Sequence, residues 1–194
     1  MILTKGLDRE EKAIYNLTVQ ATNQAPPYPT DTVNLLIIVL DINDNPPEFA
    51  QRIYSGKISE GSAVNASVLR VLATSRDTGV NAEITYSIIG GNEHRQFRID
   101  GKTGTIKVAS QLDYEKVREY RLTIAAVDGG KPPLSNQATV NITIQDENDN
   151  IPIFTQASYS TTIKESAQIG DRVLQVSRIM ILKFLILFYL QFLP

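Results

Sequence analysis

The sequence predicts an all-β fold, made of tandem seven-stranded β-sandwiches with Greek-key connections. Apolar and polar residues alternate with a period of two through the middle of the chain, which is the pattern of half-buried antiparallel strands. Turns rich in Gly and Asp separate the alternating runs, and helical periodicity is absent before residue 178. About seven short strands in a unit of about 105 residues are typical of a β-sandwich.

The individual strands follow from where the alternation is clearest. Every second residue is apolar at 120–126 and 138–145, which predicts two long strands there. Shorter strands are expected at 53–58, 68–73, 82–88 and 105–108. The turns between them are expected at Gly90-Gly91, Asp100-Gly101 and Asp128-Gly129-Gly130.

A repeat with an offset of 105 residues organises the chain. LDRE at 7–10 recurs as LDYE at 112–115, and DINDN at 41–45 recurs as DENDN at 146–150. The match needs no gap, holds through residue 176 and then fails. We therefore expect an internal fragment of a longer tandem array, with one complete and two partial repeats. Its parts are the C-terminal half of a repeat with its linker (1–45), a complete repeat with its linker (46–150), the start of a third repeat (151–177) and an off-pattern apolar tail (178–194).

The tail reads RIMILKFLILFYLQFLP, unlike anything before it. Its uncharged part after Lys183 has 11 residues, whereas a membrane-spanning helix needs about 20. Three interpretations stay open: a non-native or truncated end, a short membrane-associating segment, or a buried helix or strand. Residues 1–6 lack the pattern of a secretory signal, so the protein is either cytosolic or its true start is missing.

Composition excludes several classes of function. The net charge is −2, which gives no basic surface for nucleic acid. The absence of Cys excludes disulfide scaffolds, thiolate zinc sites, Fe–S clusters and thiol catalysis. The single His94 stands between Glu93 and Arg95 and is expected to be solvated rather than catalytic. The remaining chemistry depends on oxygen atoms.

Each repeat ends in a linker rich in side-chain oxygens. The segments 41–45 and 146–150 each follow the last strand of a unit and lead into a proline-containing segment. Calcium prefers six to eight oxygens from carboxylates, Asn side chains and backbone carbonyls, and such linkers offer all three. A solvated turn is the alternative, because Asp and Asn are common turn residues. Two copies in register, each with an upstream D-x-E, favour calcium.

An EF-hand is the competing explanation for a D-x-N-x-N string, and it fails at two positions. The sixth position, which needs Gly, holds Pro46 or Ile151. The twelfth position, which needs Glu, holds Arg52 or Ala157. A glycosidase-type carboxylate pair is also not expected, because the acidic residues cluster too densely in linkers. We therefore expect no enzyme.

The combined motifs resemble the extracellular cadherin repeat over residues 7–177. They are LDRE and LDYE, DINDNPPEF and DENDNIPIF, the Glu of ISE and IKE, and the segment Asp77-Thr78-Gly79-Val80-Asn81-Ala82. The resemblance implies cadherin-like sandwiches of immunoglobulin-like topology, with three calcium ions at each junction between repeats. The nearest likeness is to the long atypical cadherins of the Fat, Dachsous or protocadherin type.

The resemblance also implies the calcium ligands. At the first junction they are Asp8, Glu10, the Ile42 carbonyl, Asn43, Asp44, the Asn45 carbonyl, Asp77, the Asn81 carbonyl and Asp128. At the second junction they are Glu60, Asp113, Glu115, Asn148, Asp149 and Asn150. Asp41 and Asp146 are expected to shape the linkers. Ser75 stands where the family pattern has Asp, with Arg76 beside it, so the third ion of the first junction is expected to bind weakly or not at all.

The function implied by the resemblance is calcium-dependent cell–cell adhesion, in which calcium stiffens an extracellular rod. The implied partners are other cadherin ectodomains, homophilic or heterophilic, on the extracellular side of the plasma membrane. Membrane association would come from parts of the parent protein outside this sequence. The alternative is a calcium-stabilised carbohydrate-binding or spacer module without an adhesive contact of its own. Sequons at Asn16, Asn65 and Asn141 fit a secreted glycoprotein.

Overall fold

The computed structural model describes residues 2–150, 153–175 and, by backbone only, 178–179. Within these residues, every element of secondary structure is a β-strand except one 3-10 turn. The prediction of an all-β fold is confirmed. The strands are β1 (Ile14–Thr22), β2 (Thr30–Ile38), β3 (Glu48–Phe49), β4 (Ile53–Ser59), β5 (Ser67–Arg70), β6 (Ala73–Thr74), β7 (Thr85–Gly90), β8 (Phe97–Ile99), β9 (Thr105–Val108), β10 (Glu119–Val127), β11 (Ser135–Gln145), β12 (Ile153–Phe154) and β13 (Arg178–Ile179).

The central unit, residues 46–150, contains two sheets around one core. The first sheet has the order β4-β11-β10-β7, in which β4 runs parallel to β11 and the other pairs are antiparallel. The second sheet has the order β5-β9-β8, and the short strands β3 and β6 form a separate two-stranded sheet. Apolar side chains from both sheets form one buried cluster, as expected of a sandwich.

The alternating pattern places the core on one face of each long strand. Leu122 and Ile124 of β10 and Val140 of β11 are fully buried, and they meet Ile106 and Val108 of β9 in the opposite sheet. Of the residues that alternate with them, Thr123 is partly buried and Asn141 is exposed, whereas Ala125 is also buried. A period of two in the sequence therefore becomes one apolar face per strand, and burial of these faces holds the sandwich together.

Two of the expected short strands have different bounds in the structure. The run at 68–73 is divided into β5 and β6, because the backbone N–H of Val71 donates to Gly104 and the carbonyl of Leu72 accepts from Ala50 (3.0 and 2.9 Å). The chain thus changes partner from β9 to β3 within a few residues. The strand expected at 82–88 begins later, at Thr85, because a 3-10 turn occupies Gly79–Ala82.

The offset of 105 residues is visible in the strand pairing. Ile14 pairs with Ile38 in the β1–β2 hairpin, and Glu119 pairs with Thr143 at the same place in the β10–β11 hairpin. β12 and β13 pair as β3 and β6 do, again at this offset. The backbone pairing therefore continues to residue 179, beyond the point where sequence similarity ends. Of the apolar tail at 178–194, everything after residue 179 lies outside the described residues.

The β1–β2 hairpin of the first unit, residues 1–45, has the register of β10–β11 without its burial. Leu17 and Val19 are 37% and 38% exposed, whereas Leu122 and Ile124 at the matching places are fully buried. The backbone pairing of β1 with β2 therefore sets the register of this hairpin, although its apolar face is partly exposed. Among the described residues, no helix is long and apolar enough to cross a membrane.

Candidate calcium site

Two tight turns present the acidic D-x-E motifs ahead of β1 and β10. A carboxylate oxygen of Asp8 accepts the backbone N–H of Glu11 at 2.9 Å, and its carbonyl accepts that of Lys12. Asp113 makes the same two contacts, with Lys116 (2.9 Å) and Val117. In each motif the Asp therefore holds the turn with one oxygen, and the Glu two residues later projects from it.

The first junction, where the linker 41–45 meets the central unit, gathers carboxylates from separate parts of the chain. Oxygens of Glu10, Asp41 and Asp77 lie within 4.8 Å of one another. The side-chain amide of Asn45 donates to Asp44 (2.6 Å) and to Asp77 (2.8 Å) and so lies between these two carboxylates. The structure thus brings together acidic groups from the first unit, the linker and the central unit.

Asp128, directly after β10, is a buried carboxylate of this junction with one unpartnered oxygen. It is only 5% exposed, and its Oδ1 accepts the backbone N–H groups of Gly130 and Leu134 and the amide of Asn43 (3.1, 2.9 and 3.2 Å). Its Oδ2 and the Oδ1 of Asn43 are buried without a hydrogen-bond partner. A buried oxygen without a partner costs about 1–3 kcal/mol, and more when it is charged. These oxygens fit a bound cation, and their hard oxygen chemistry fits calcium.

The second junction, where the linker 146–150 ends the central unit, repeats much of this arrangement. Oxygens of Glu60, Glu115 and Asp146 lie within 4.8 Å of one another. Asn150 donates to Glu115 (2.8 Å) and Asp149 (2.9 Å), as Asn45 donates to two carboxylates at the first junction. The same amide position therefore bridges two acidic groups at both junctions.

Glu60 is the buried member of the second cluster, with 4% exposure. Its two oxygens accept the backbone N–H groups of Tyr114 and Glu147 at 2.6 and 2.8 Å, which fastens it to both acidic motifs. Asp113 forms an ion pair with Lys116 at 2.7 Å. The side-chain hydrogen bond from Lys116, with its backbone hydrogen bond and charge, lowers the pKa of Asp113 below its ordinary value.

The remaining expected ligands are placed less distinctively. The carbonyl of Ile42 accepts the backbone N–H of Asp44 at 3.1 Å within the linker turn. The side chain of Asn81 donates to Asp41 at 2.9 Å, which fixes the 3-10 turn whose carbonyl was expected to bind the ion. Asn148 lies exposed in the second linker.

Ser75 occupies the position where the family pattern has Asp. Its hydroxyl donates to the carbonyl of Asn45 at 3.0 Å and accepts the backbone N–H of Asp77 at 3.1 Å. The Asn45 carbonyl, an expected ligand, is therefore already engaged by a hydroxyl. The weak binding of a third ion at the first junction stays a prediction.

Arg9 is a member of the first junction that sequence reasoning missed. Its guanidinium forms ion pairs with Asp41 and Glu10 and donates to the carbonyl of Arg76. Burial opposes the charge of Arg9, but the hydrogen bond and charge of Asp41 prevail and raise the pKa of the guanidinium. Burial likewise opposes the charge of Asp41, whose pKa is nevertheless lowered by hydrogen bonds from Thr78, Asn81 and Arg9. The only signal in the sequence was the change from LDRE to LDYE between the repeats.

A sandwich of this topology, with clusters of oxygen atoms at both ends of the central unit, defines a class of β-sandwich domains with candidate cation sites. Residues 54–145 match the family model described as the cadherin domain. The chain is 50% identical to human Protocadherin Fat 1 over 175 residues, and 47% identical to the Fat-like cadherin-related tumor suppressor homolog of Drosophila melanogaster over 174 residues. Each alignment covers 90% of this chain and 4% of the relative.

Solved structures of cadherin ectodomains are also similar to this chain. The structure of mouse Cadherin-23 EC22-24 superimposes with a TM-score of 0.74 at 34% identity, covering 90% of this chain and 56% of that one. Protocadherin Gamma B2 extracellular cadherin domains 1-5 superimpose with a TM-score of 0.77 at 35% identity, covering 91% and 34%. The chain belongs to the cadherin superfamily. Its relatives are adhesion proteins and not enzymes, as the sequence led us to expect.

Proposed function

We propose that this chain is a calcium-binding part of a cell-adhesion ectodomain, in which calcium at the junctions stiffens the tandem units into a rod. The observation that carries the proposal is the pair of buried carboxylates Asp77 and Asp128, together with the unpartnered oxygens of Asp128 and Asn43. Burying such groups is unfavourable unless a cation compensates them. Bound calcium supplies positive charge that offsets their repulsion.

The carboxylates proposed to bind calcium at the first junction come from both units and from the linker, so a bound ion would connect the units. Glu10 belongs to the first unit, Asp44 to the linker, and Asp77 and Asp128 to the central unit. Two carboxylates about 5 Å apart repel by about 3 kcal/mol at an effective dielectric of about 20. Without a cation this repulsion weakens the contact between the units, and a bound cation strengthens it. A junction tied in this way pivots less than a free five-residue linker.

The choice of calcium rests on the donor set. The expected ligands are carboxylates, Asn side chains and backbone carbonyls, and the chain has no Cys and one His. Calcium accepts six to eight oxygens in a flexible arrangement, whereas magnesium demands a nearly ideal octahedron and keeps several waters. We therefore propose calcium rather than magnesium or zinc at both junctions.

The whole-protein function follows from the relatives. The chain spans 4% of the length of the two Fat-like relatives, so it would form a small internal part of a long ectodomain. Within this proposal, residues 1–45, 46–150 and 151–177 are the end of one repeat, a complete repeat and the start of the next. The partners would be other cadherin ectodomains, on the extracellular side of the plasma membrane. The small share of the relatives' length also favours a spacer role without an adhesive contact of its own.

Thermal unfolding of the full chain tests calcium binding. Calcium at about 100 times its Kd adds about 2.7 kcal/mol to the free energy of unfolding. Each kcal/mol raises the Tm of a domain of about 100 residues, such as the central unit, by about 4 °C or more. We therefore expect the Tm to rise by about 10 °C from chelator to saturating calcium. Magnesium at the same concentration serves as the control. An equal rise with magnesium, or none with calcium, would contradict the proposal.

A further inference from the structure

We propose that Arg9 links the first unit to the central unit without any metal. Arg9 lies ahead of β1, and its guanidinium pairs with Asp41 in the linker and with its neighbour Glu10. Its Nη2 also donates to the backbone carbonyl of Arg76 in the central unit at 2.6 Å. The contacts of Arg9 with Asp41 and with the Arg76 carbonyl involve no proposed calcium ligand, so these two contacts do not need calcium. Glu10, by contrast, is also a proposed calcium ligand.

Asp41 extends this link to the central unit. Its Oδ2 accepts the backbone N–H of Thr78 at 3.1 Å and the side-chain amide of Asn81 at 2.9 Å. Thr78 directly precedes the 3-10 turn of the central unit, and Asn81 is part of that turn. The ion pair of Arg9 with Asp41 therefore reaches the central unit at three points: the Arg76 carbonyl, the Thr78 N–H and the Asn81 amide.

The burial and shape of the pair suit this role. The side chains of Arg9 and Asp41 are only 16% and 15% exposed, so water screens their attraction less than that of a surface pair. The planar guanidinium carries five N–H donors, which lets one arginine bind two carboxylates and a carbonyl together. A lysine at this position would keep the positive charge but lose the planar set of N–H donors.

The second junction has a different residue at the matching position. Tyr114 replaces arginine there, and the guanidinium of Arg118 lies over its ring, 5.0 Å from the centroid. Asp146, which matches Asp41, is exposed. A tyrosine cannot donate to two carboxylates and a carbonyl. The two junctions of this chain therefore differ, and the first keeps part of its order when calcium is removed.

Distance measurements between two spin labels on the full chain test this link directly. The chain has no cysteine, so Gln20→Cys on β1 and Lys102→Cys in the central unit give two unique and exposed attachment sites. In chelator, we expect a narrow distance distribution with Arg9 present. The substitution Arg9→Tyr introduces the residue of the second junction and should at least double the width of the distribution. Arg9→Lys should give an intermediate width.

The control is Arg52→Tyr, which removes an exposed arginine of the central unit away from the junction and should leave the distribution narrow. Asp41→Asn should broaden the distribution, and combining it with Arg9→Tyr should broaden it no further, because both changes break the same pair. The proposal is overturned if the distance distribution of Arg9→Tyr in chelator is as narrow as that of Arg52→Tyr. It is also overturned if the distribution of the native chain in chelator is as broad as that of Arg9→Tyr. Calcium added to the Arg9→Tyr variant tests the proposed function separately, because narrowing of that broad distribution requires calcium at the junction and cannot come from Arg9.

Discussion

At the residue scale, the aspartates of this chain divide by what satisfies their oxygens. Asp100 lies in an ordinary turn, where its Oδ1 accepts the backbone N–H groups of Lys102 and Thr103 at 3.1 and 2.8 Å. The hydrogen bonds from Thr103, and then that from Lys102, lower the pKa of Asp100. Asp128 has equally good contacts at one oxygen and none at the other. Our proposal of a cation site therefore rests on the unsatisfied oxygen of Asp128 and not on the presence of an Asp in a turn.

This difference predicts which substitutions affect calcium. Asp44→Asn and Asp77→Asn should each weaken calcium binding about tenfold or more, equivalent to about 1.4 kcal/mol, because each removes a charge from the first junction. Asp100→Asn is the matched control and should change the affinity less than about twofold. Isothermal titration of the full chain with calcium measures all three. Equal losses in the three variants would indicate diffuse screening instead of a defined site.

Ser75 offers the opposite test. Ser75→Asp should strengthen calcium binding at the first junction, because a carboxylate adds a negative charge and no longer donates to the Asn45 carbonyl. Ser55→Asp on β4 adds the same charge on an exposed part of the central unit and is the control. Titration with calcium at low salt compares the two variants. An equal gain in both, or no gain from Ser75→Asp, would mean that the site is not arranged around Ser75 as proposed.

The sequence could identify the acidic residues of the junctions but not all of their neighbours. The fixed spacing of D-x-E and D-x-N-D-N marks Glu10 and Asp44, because these oxygen ligands recur at fixed places in both repeats, whereas Asp77 was identified through the resemblance of the segment 77–82. Arg9 escaped because a positive residue between two acidic ones is expected to be solvated. Its contact with Arg76, 67 positions away, depends on how two units meet, which no local pattern encodes.

At the element scale, the two hairpins share one register and differ in burial. β1–β2 and β10–β11 pair at the same offset throughout, although only the second hairpin covers a packed core. Alternation predicts such long strands well, because each residue contributes to the periodic signal. The pairs β3–β6 and β12–β13 have two residues per strand, which is too short for any period, so only the folded chain reveals them.

The matched leucines of the two hairpins predict different effects on stability. Leu122→Ala should lower the free energy of unfolding of the central unit by about 2–5 kcal/mol, because it leaves a cavity in a fully buried site. Leu17→Ala, at the matching but partly exposed position, should change that unfolding transition by less than about 0.5 kcal/mol. Denaturant unfolding of the full chain measures both. A large effect of Leu17→Ala would show that the first unit shares the core of the central unit.

At the scale of the whole molecule, the two kinds of contact at the first junction have different dependence on conditions. Under the two proposals, the pair of Arg9 with Asp41 forms without a cation, whereas the buried carboxylates Asp77 and Asp128 are compensated by one. At the second junction, Tyr114 stands at the position of Arg9, beside the acidic cluster of Glu60, Glu115 and Asp146. Removing calcium should therefore loosen the second junction more than the first.

Small-angle X-ray scattering of the full chain measures this stiffening. In chelator, an ensemble of bent shapes should be required to fit the profile, and millimolar calcium should reduce the ensemble to one elongated shape with a larger maximum dimension. Magnesium should not reproduce the change, because it binds fewer flexible oxygen ligands. Asp77→Asn should need more calcium for the same change, whereas Asp100→Asn should follow the native chain. A profile that is identical with and without calcium would mean that the acidic clusters are solvated turns, and that the stiffness of the chain comes from direct contacts such as that of Arg9.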